Sequence, residues 1–527
     1  MISEAVRTAR TLPALLDALA DSAPGHEFLV YRGERWTYGA FRDEAARIAA
    51  GLHAHGVRRG DNVGVLMGNC PEWLAVMFAA LSLGARVVAI NTWFRTHELR
   101  HVFARADIRL LVAADRYLRQ DYPALLREAG AFDKVGTVVI LGETPPGALP
   151  WSALRREPGA FPGPEPDDVA QILFTSGTTA MPKGAQLTHR GIIENMRPIG
   201  ERMRLGPQDR VWLAINLFWS FAAANALGAA LTHGATIVLQ HAFEPGEAMA
   251  LIERERCSVF YGMPNMAHAM WEHPDRPGRD LSSLRTGLSI GTPGDMALIE
   301  RLGVGRILQV YGLTEAYGNS AVCDYDDPQE IRHATCGRPL PGQEVRLVDP
   351  ETGRDGAQGE IWLRGRNTPG YYNDPERDSE IFTADGWMKT GDLAAWDSGG
   401  RLLFRGRLKE MLKSGGINIA PREIETFLQD RPGVAEAYVV GVPDAAKGEV
   451  PVAVVVAEPG ASPDADTLKR ACRAELAAYK TPQRIEIVER AALPVTATGK
   501  VRKHELAERL ARRPSPRRSG PRSRRTL

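Results

Sequence analysis

Residues 62–91 read NVGVLMGNCPEWLAVMFAALSLGARVVAIN, and this stretch decides the fold. NVGVLM is an apolar run of strand length. Pro71 stands where a helix takes its first residue, and PEWLAVMFAALSLG follows as that helix. RVVAIN (86–91) is the next strand. Strand, helix and strand at this spacing imply a parallel sheet with covered faces. Upstream, WTYGAFRDEAARIAAGLHAHG (36–56) has helical periodicity, with Thr37 placed to cap it. Downstream the alternation returns in ATIVLQ (235–240), the helix EPGEAMALIERER (244–256) and CSVFYGMP (257–264).

From about Gly359 the texture changes. GEIWLRG and GWMKTGDLAAWDSGGRLLFRGR (386–407) read as short alternating strands with glycine-rich turns, an antiparallel β region. A smaller α+β unit follows, with a helix (421–430), strands (435–442 and 450–458), a second helix (464–479) and a strand (484–489). The expected architecture is α/β: a large unit over 1–408, a small unit over 409–510 and a basic tail over 511–527.

The chain has 527 residues, 44% hydrophobic and 24% charged, enough apolar material for a large core. Five scattered cysteines without a CxxC pair argue against zinc ribbons and disulfide frameworks and suit a reducing cytoplasm. The net charge of +1 hides seven arginines and no acid in residues 512–527, which leaves the rest at about −6. A mildly acidic body argues against a nucleic-acid-binding surface, and a tail rich in Pro, Ser and Arg is expected to be disordered. Residues 1–10 carry an acid and two arginines with no apolar run behind them, so no signal peptide is expected. Residues 211–243 lack Asp, Glu, Lys and Arg, but Asn216, Ser220, Asn225, Thr232, His233 and Gly234 interrupt them. They read as a buried helix (about 217–231) and a strand, not a membrane span.

The first chemical motif is Ile172-Leu-Phe-Thr-Ser-Gly-Thr-Thr-Ala-Met-Pro-Lys-Gly184. An apolar strand runs into Thr175, Ser176, Gly177, Thr178 and Thr179, then Lys183. Small hydroxyl residues and glycine can curl N–H groups round a phosphate while the lysine supplies charge. It is not a Walker A loop. The segment resembles the phosphate loop of the adenylate-forming superfamily, which includes acyl- and aryl-CoA synthetases, peptide-synthetase adenylation domains and luciferases. Ala180 stands where that family usually has Gly. Gln309-Val-Tyr-Gly-Leu-Thr-Glu315 is similar to its second signature. The resemblance implies that Tyr311 and Gly312 pack on adenine, Thr314 meets the α-phosphate, and Glu315 with Thr175 holds Mg²⁺. Mg²⁺ suits such a site, needing few protein carboxylates beside substrate phosphates.

Thr390-Gly-Asp392 looks like the family's ribose-binding TGD, and Arg407 like the arginine that also reaches ribose and phosphate. Lys413-Ser-Gly-Gly-Ile-Asn418 matches the segment lining the pantetheine channel, which assigns Ser414, Gly415 and Gly416 to it. Lys409 falls at the family's hinge. Leu493-Pro-Val-Thr-Ala-Thr-Gly-Lys500 is similar to the C-terminal PxTxTGK, so Lys500 aligns with the catalytic lysine. Carboxylate attack on the α-phosphate develops negative charge that such a cation relieves.

In the family four segments build the acyl pocket, here near 216–225, 262–266, 289–293 and 311–320. Gly291, Thr292 and Pro293 also face the nucleotide. Trp219, Phe221, Asn225, Met263 and Tyr317 are the acyl-binding candidates. No Asp or Glu occurs in the first three segments, so an α-ammonium would lack a partner and amino acids are disfavoured. Trp219 replaces a histidine found in many fatty-acid and aryl-acid members, which favours a short or flat acid. The resemblance implies ATP-dependent acyl-AMP formation with pyrophosphate release, then transfer to CoA, by an AMP-forming acid–thiol ligase. A carrier protein, an amine or another small nucleophile stays open as acceptor, as does a non-catalytic adenylate-binding protein. The expected cofactors are ATP, Mg²⁺ and CoA. The expected partners are a small carboxylic acid and the acceptor, with a homodimer as the candidate assembly.

Overall fold

The structure is a computed structural model that describes residues 3–175, 182–414, 417–419, 421–444, 447–476, 480–496 and 500–512. The chain forms two compact units, one of Met1–Thr390 with Trp396–Leu403 and one of Gly391–Ala395 with Phe404–Leu527. The strands Met388–Trp396 and Leu402–Arg407 are divided between them.

In the first unit the deciding stretch folds as strand Asn62–Leu66, helix Pro71–Ser82 with proline in its first turn, and strand Arg86–Ala89. The two strands pair in parallel. Among the described residues they belong to a seven-stranded sheet in the order Lys183–Thr188, Val169–Thr175, Arg86–Ala89, Asn62–Leu66, Ile108–Ala114, Thr137–Leu141, Leu149–Pro150. All its neighbours are parallel except Val169–Thr175 and Lys183–Thr188, which form an antiparallel hairpin. Thr37 caps helix Tyr38–Ala54 by accepting from the Ala40 N–H.

A second sheet runs Arg338–Pro339, Ala321–Val322, Ile307–Tyr311, Thr286–Ser289, Val259–Tyr261, Arg210–Leu213, Thr236–Leu239, Glu27–Tyr31, Glu34–Thr37. Its interior is parallel and its edges antiparallel. Val63, Val65 and Val87 of the first sheet share one buried cluster with Leu213, Ile237 and Val259 of the second. Helix Pro71–Ser82 is apolar on all sides because that cluster surrounds it. Farther on, Gln358–Arg364, at the start of the expected antiparallel region, pairs antiparallel with Glu344–Val348, a strand outside that expectation.

The uncharged run 211–243 resolves into strand Arg210–Leu213, a π-helical turn Phe221–Ala226, helix Leu227–His233 and strand Thr236–Leu239. Helical structure begins at Ser220, not near 217, because residues 214–219 are spent on a loop that carries Trp219. Gly234 ends the helix at φ 66°, a left-handed position that glycine adopts without strain. Among the described residues no helix is long and apolar enough to cross a membrane.

The second unit has a sheet in the order Ile417–Ile419, Leu412–Ser414, Gly448–Ala457, Val434–Asp444, with Arg484–Val488 paired parallel to Gly448–Ala457. Successive residues of the central strand enter opposite cores: Ala453 and Val455 join Val439 and Ile424, whereas Val452 and Val454 join Val440 and Leu506. Burial on both faces explains its unbroken apolar run. Helix Pro421–Gln429 follows the sequence reading, whereas the second helix, Ala465–Glu475, stops short of the expected 479 because Leu476 is already extended at φ −105° and ψ 156°. A further helix, Lys503–Ala511, covers the second face through Leu506 and Leu510.

Candidate active site

In parallel sheets, ligands gather at the carboxyl ends of the strands. In the first unit, Val259–Tyr261, Thr286–Ser289 and Ile307–Tyr311 end at the segments carrying Met263, Gly291–Thr292–Pro293 and Gly312–Leu313–Thr314–Glu315. Three predicted segments thus converge through strand pairing alone. Gly312 has a steric reason to be glycine, since a Cβ there would fall 2.0 Å from the Gly318 carbonyl oxygen.

Thr175 ends strand Val169–Thr175 and is the register partner of Lys183. The phosphate-loop candidates Ser176, Gly177, Thr178 and Thr179 lie outside the described residues, as does Ala180. Lys183 places its Nζ 5.7 Å from the centre of the Tyr371 ring. The Tyr371 hydroxyl donates to Glu315 Oε1 at 2.5 Å, and the Thr368 N–H donates to the Glu315 carbonyl at 2.6 Å. Burial, with the Glu315 charge beside it, pushes the Tyr371 phenol well above its ordinary range, so it stays a donor. That bond engages one of the two Glu315 carboxylate oxygens. Among the described residues no group of three or more His, Cys, Asp or Glu could hold a metal by itself. One carboxylate oxygen suits Mg²⁺, which takes most of its ligands from water and phosphate.

The acyl segment meets the nucleotide segment directly, with Ser220 Oγ and Thr314 Oγ1 3.0 Å apart. Trp219 is half-buried, and its ring stands at 90° to that of Trp93 with centroids 5.5 Å apart. Phe218 packs edge-on against both, at 5.4 Å from Trp93 and 5.7 Å from Trp219. Sequence reasoning missed Trp93, which comes from the loop after strand Arg86–Ala89, 126 residues before Trp219. Phe221 leans on Tyr261 at 5.1 Å, and the Tyr261 hydroxyl donates to Asn225 Oδ1. Met263 directly precedes helix Pro264–Trp271 and packs partly buried against the main core. Asn225 is fully buried; its Oδ1 accepts from Tyr261, while its Nδ2 has no hydrogen-bond partner among the described residues.

Two further candidates have structural duties. Thr292 is the N-cap of helix Pro293–Leu302: its hydroxyl accepts from the Asp295 N–H at 3.1 Å and donates to Asp295 Oδ2 at 2.8 Å. Burial would raise the Asp295 carboxyl, but the bond from His268 at 3.1 Å and those from Thr292 outweigh it and hold the group below its ordinary range. Tyr317 sits at φ 57° and turns its hydroxyl to Thr188 Oγ1 at 3.0 Å, with its ring filling the space where a Gly191 Cβ would stand. That contact lies at the end of strand Lys183–Thr188.

The second unit gathers its own cluster. Asp392 is buried on strand Met388–Trp396 and takes the Arg407 Nε at 3.2 Å. Lys500 is anchored through its backbone: its N–H donates to Thr496 Oγ1 at 3.1 Å, and its carbonyl accepts from the Thr496 N–H at 2.7 Å. Its side chain keeps exposed surface, yet loss of surrounding water and then the Arg407 charge pull the ammonium below the ordinary lysine range, against Glu410 and Asp392. Lys503 binds Glu425 Oε1 at 2.8 Å and Glu410 Oε2 at 3.4 Å, which ties the last helix to the segment after Arg407. Lys409 lies in the single turn Leu408–Glu410. Ser414 is buried at the end of strand Leu412–Ser414, opposite Ile417 and Gly448, while Gly415 and Gly416 lie outside the described residues.

Residues 16–372 match the family model of the AMP-binding enzyme, and residues 423–500 match the AMP-binding enzyme C-terminal domain. The chain belongs to the AMP-binding, adenylate-forming enzyme family. The expected class, an AMP-forming ligase of the acyl-CoA synthetase type with an α/β fold and a separate C-terminal domain, holds for this adenylate-forming enzyme. It is 36% identical to the 3-[(3aS,4S,7aS)-7a-methyl-1,5-dioxo-octahydro-1H-inden-4-yl]propanoyl:CoA ligase of Mycobacterium tuberculosis, over 95% of this chain and 99% of that protein. It is 37% identical to a feruloyl-CoA synthase of an Amycolatopsis species, over 90% of this chain and 94% of the relative. The crystal structure of the anthranilate CoA ligase AuaEII with anthranoyl-AMP superposes with a TM-score of 0.85 at 27% identity, covering 96% of this chain and 99% of that one.

Proposed function

We propose that this enzyme activates a compact or flat carboxylic acid with Mg²⁺ and ATP, releases pyrophosphate, and passes the acyl group from acyl-AMP to CoA. The observation that carries the reading is the hydrogen bond between Ser220 and Thr314, which sets the aromatic wall of Trp219 and Trp93 beside the threonine assigned to the α-phosphate. A carboxylate lying along that wall would stand near the threonine assigned to the α-phosphate. Close placement of this kind supplies much of the acceleration in a two-substrate reaction. The names of the relatives, a feruloyl-CoA synthase and an anthranilate CoA ligase among them, support a ring-bearing acid and CoA as the acceptor.

In this reading Glu315 and Thr175 hold the cation, which would polarise the phosphate oxygens when bound. Lys183 and the loop Ser176 to Thr179 take the phosphates. Tyr311, Gly312 and the Gly291–Pro293 turn frame adenine. Asp392 accepts from the ribose hydroxyls and Arg407 shares that site. The Lys500 ammonium relieves charge as the carboxylate attacks. The small unit beyond Lys409 then reorients, and the segment of Ser414, Gly415 and Gly416 admits the pantetheine arm. Five buried thiols suit a reducing cytoplasm.

The test is pyrophosphate release over a panel of carboxylic acids, with and without CoA. The expected result is turnover with aromatic or compact ring acids, and AMP with an acyl-CoA only when CoA is present. Release with no CoA product, but with an amide when an amine is supplied, would transfer the enzyme to the amine-acceptor reading. No pyrophosphate release with any compact or ring-bearing acid would overturn the proposed substrate class.

A further inference from the structure

We infer that Tyr371 is a positioning residue for the cation site, its hydroxyl fixing the Glu315 carboxylate so that Oε2 faces the metal. The inference rests on the proposed role of Glu315. Tyr371 belongs to the segment Asn367-Thr-Pro-Gly-Tyr-Tyr372, to which neither the motif reading nor the proposed function gives any task. The segment is fastened along strand Lys183–Thr188 at successive points. Thr368 Oγ1 donates to the Gln186 carbonyl at 2.7 Å, the Gln186 N–H to the Gly370 carbonyl at 3.2 Å, and the Tyr372 N–H to the Gly184 carbonyl at 2.8 Å. Ala185 and Tyr371 form a β-bridge, and the Tyr371 N–H donates to Asp378 Oδ1 at 2.8 Å. Gly370 at φ 139° makes the turn, and a Cβ there would meet the Asp378 carboxylate at 2.5 Å.

The backbone of Tyr371 is therefore fixed, its side chain is 7% exposed, and its hydroxyl reaches Glu315 Oε1 at 2.5 Å. The Thr368 N–H holds the Glu315 carbonyl from the same segment. Glu315 is thus gripped at both ends by one strap, and the strap rides on the strand that begins with Lys183. Carboxylate ligands depend on such outer partners, whose loss typically costs about 10–100-fold in metal affinity or activity.

Tyr371→Phe removes the hydroxyl and keeps the ring beneath Lys183. Binding of α,β-methylene-ATP is measured calorimetrically with Mg²⁺ and again with EDTA, and the ratio of the two affinities is the readout. The expected result is a ratio lowered by about tenfold or more in Tyr371→Phe, with the EDTA affinity unchanged. Glu315→Gln should lower the same ratio, and the double variant should lose little more than Glu315→Gln alone. A packing role for Tyr371 would shift only the melting temperature. A lowered ratio in Glu315→Gln beside an unchanged one in Tyr371→Phe overturns the inference alone. An unchanged ratio in both removes Glu315 from the metal and overturns the inference together with the reading beneath it.

Discussion

Ser220 Oγ and Thr314 Oγ1 share a hydrogen bond of 3.0 Å, although 94 residues separate them in the chain. One directly follows the loop that carries Trp219, the other comes from the turn after strand Ile307–Tyr311. The loop of Trp219 and the turn of Thr314, proposed as acyl wall and nucleotide contact, are thus joined by one bond, and a disturbance of either can reach the other through it.

Ser220→Ala breaks that unit at low structural cost. A neutral, half-buried hydrogen bond contributes about 0.5–1.5 kcal/mol, so acid activation measured as kcat/KM should fall by about two- to tenfold. The acid KM should move more than the ATP KM, because the nucleotide keeps its other contacts. Steady-state pyrophosphate release checks this; a drop confined to ATP binding would place Ser220 outside the acyl wall.

Trp93→Ala and Trp219→Ala should each raise the acid KM and admit bulkier acids while leaving the ATP KM near its wild-type value. The rings touch edge to face, so the double variant should show less than the sum of the single effects. The comparison is a panel of acids of graded width run on all four proteins. Strict additivity, with selectivity unchanged, would reduce the pair to core packing.

Much of this arrangement is visible in local sequence. Thr37 before an amphipathic run and Pro71 after an apolar strand mark helix starts by mechanisms that act within four residues, and both helices begin there. Gly312 and Glu315 stand in a motif whose order along the chain is itself the signal. Trp93 and Tyr371 carry no such mark. Each acts through a partner far along the chain, 126 residues away for Trp219 and 56 for Glu315, and only strand order brings them together. Helix Lys503–Ala511 was hidden for a related reason: its apolar stripe, Leu506 and Leu510, is two residues in a run of charges and acquires meaning from the sheet face beneath. Tyr317 adds a feature that its motif position does not reveal: a left-handed backbone sets its ring against Gly191.

Gly312→Ala tests the close approach at the nucleotide turn. The added methyl would meet the Gly318 carbonyl oxygen at 2.0 Å, and backbone on both sides leaves no side chain to yield. Overpacking of this kind costs about 1–3 kcal/mol or more. A lowered melting temperature together with loss of acyl-AMP formation is expected. A fully stable, fully active variant would show that the turn opens without penalty.

Lys500→Ala should lower acyl-AMP formation by about 10²–10³-fold, the cost of one well-placed transition-state donor. Thioester formation from preformed acyl-AMP should be spared. In the proposed role the ammonium is the active form, and desolvation by burial and then Arg407 lower its pKa, so adenylation should be full at neutral pH and decline as pH rises through that lowered value. The decline should begin below the ordinary lysine value of about 10.4. Lys500→Arg, charged throughout, should flatten that alkaline limb; an identical limb in the Arg variant would assign it to another group.

The last prediction concerns Lys409 and the proposed reorientation of the small unit. Lys409 is the middle residue of the single turn Leu408–Glu410, which directly follows Arg407 at φ −107° and ψ 141°. A change from extended backbone to a turn within two residues is what a pivot requires. Proline at 409 would fix φ near −65° and push Leu408 out of the helical region. The turn and its alternative would then no longer interchange freely, and one orientation should dominate. Adenylation, followed by pyrophosphate release, should separate from acyl transfer, followed with preformed acyl-AMP and CoA: one half-reaction retained, the other slowed by at least an order of magnitude. Lys409→Ala, which leaves the backbone free, should retain both. Two intact half-reactions in Lys409→Pro would move the pivot elsewhere in the chain, and equal loss in both, with an unchanged melting temperature, would argue that the turn shapes the site instead of moving it.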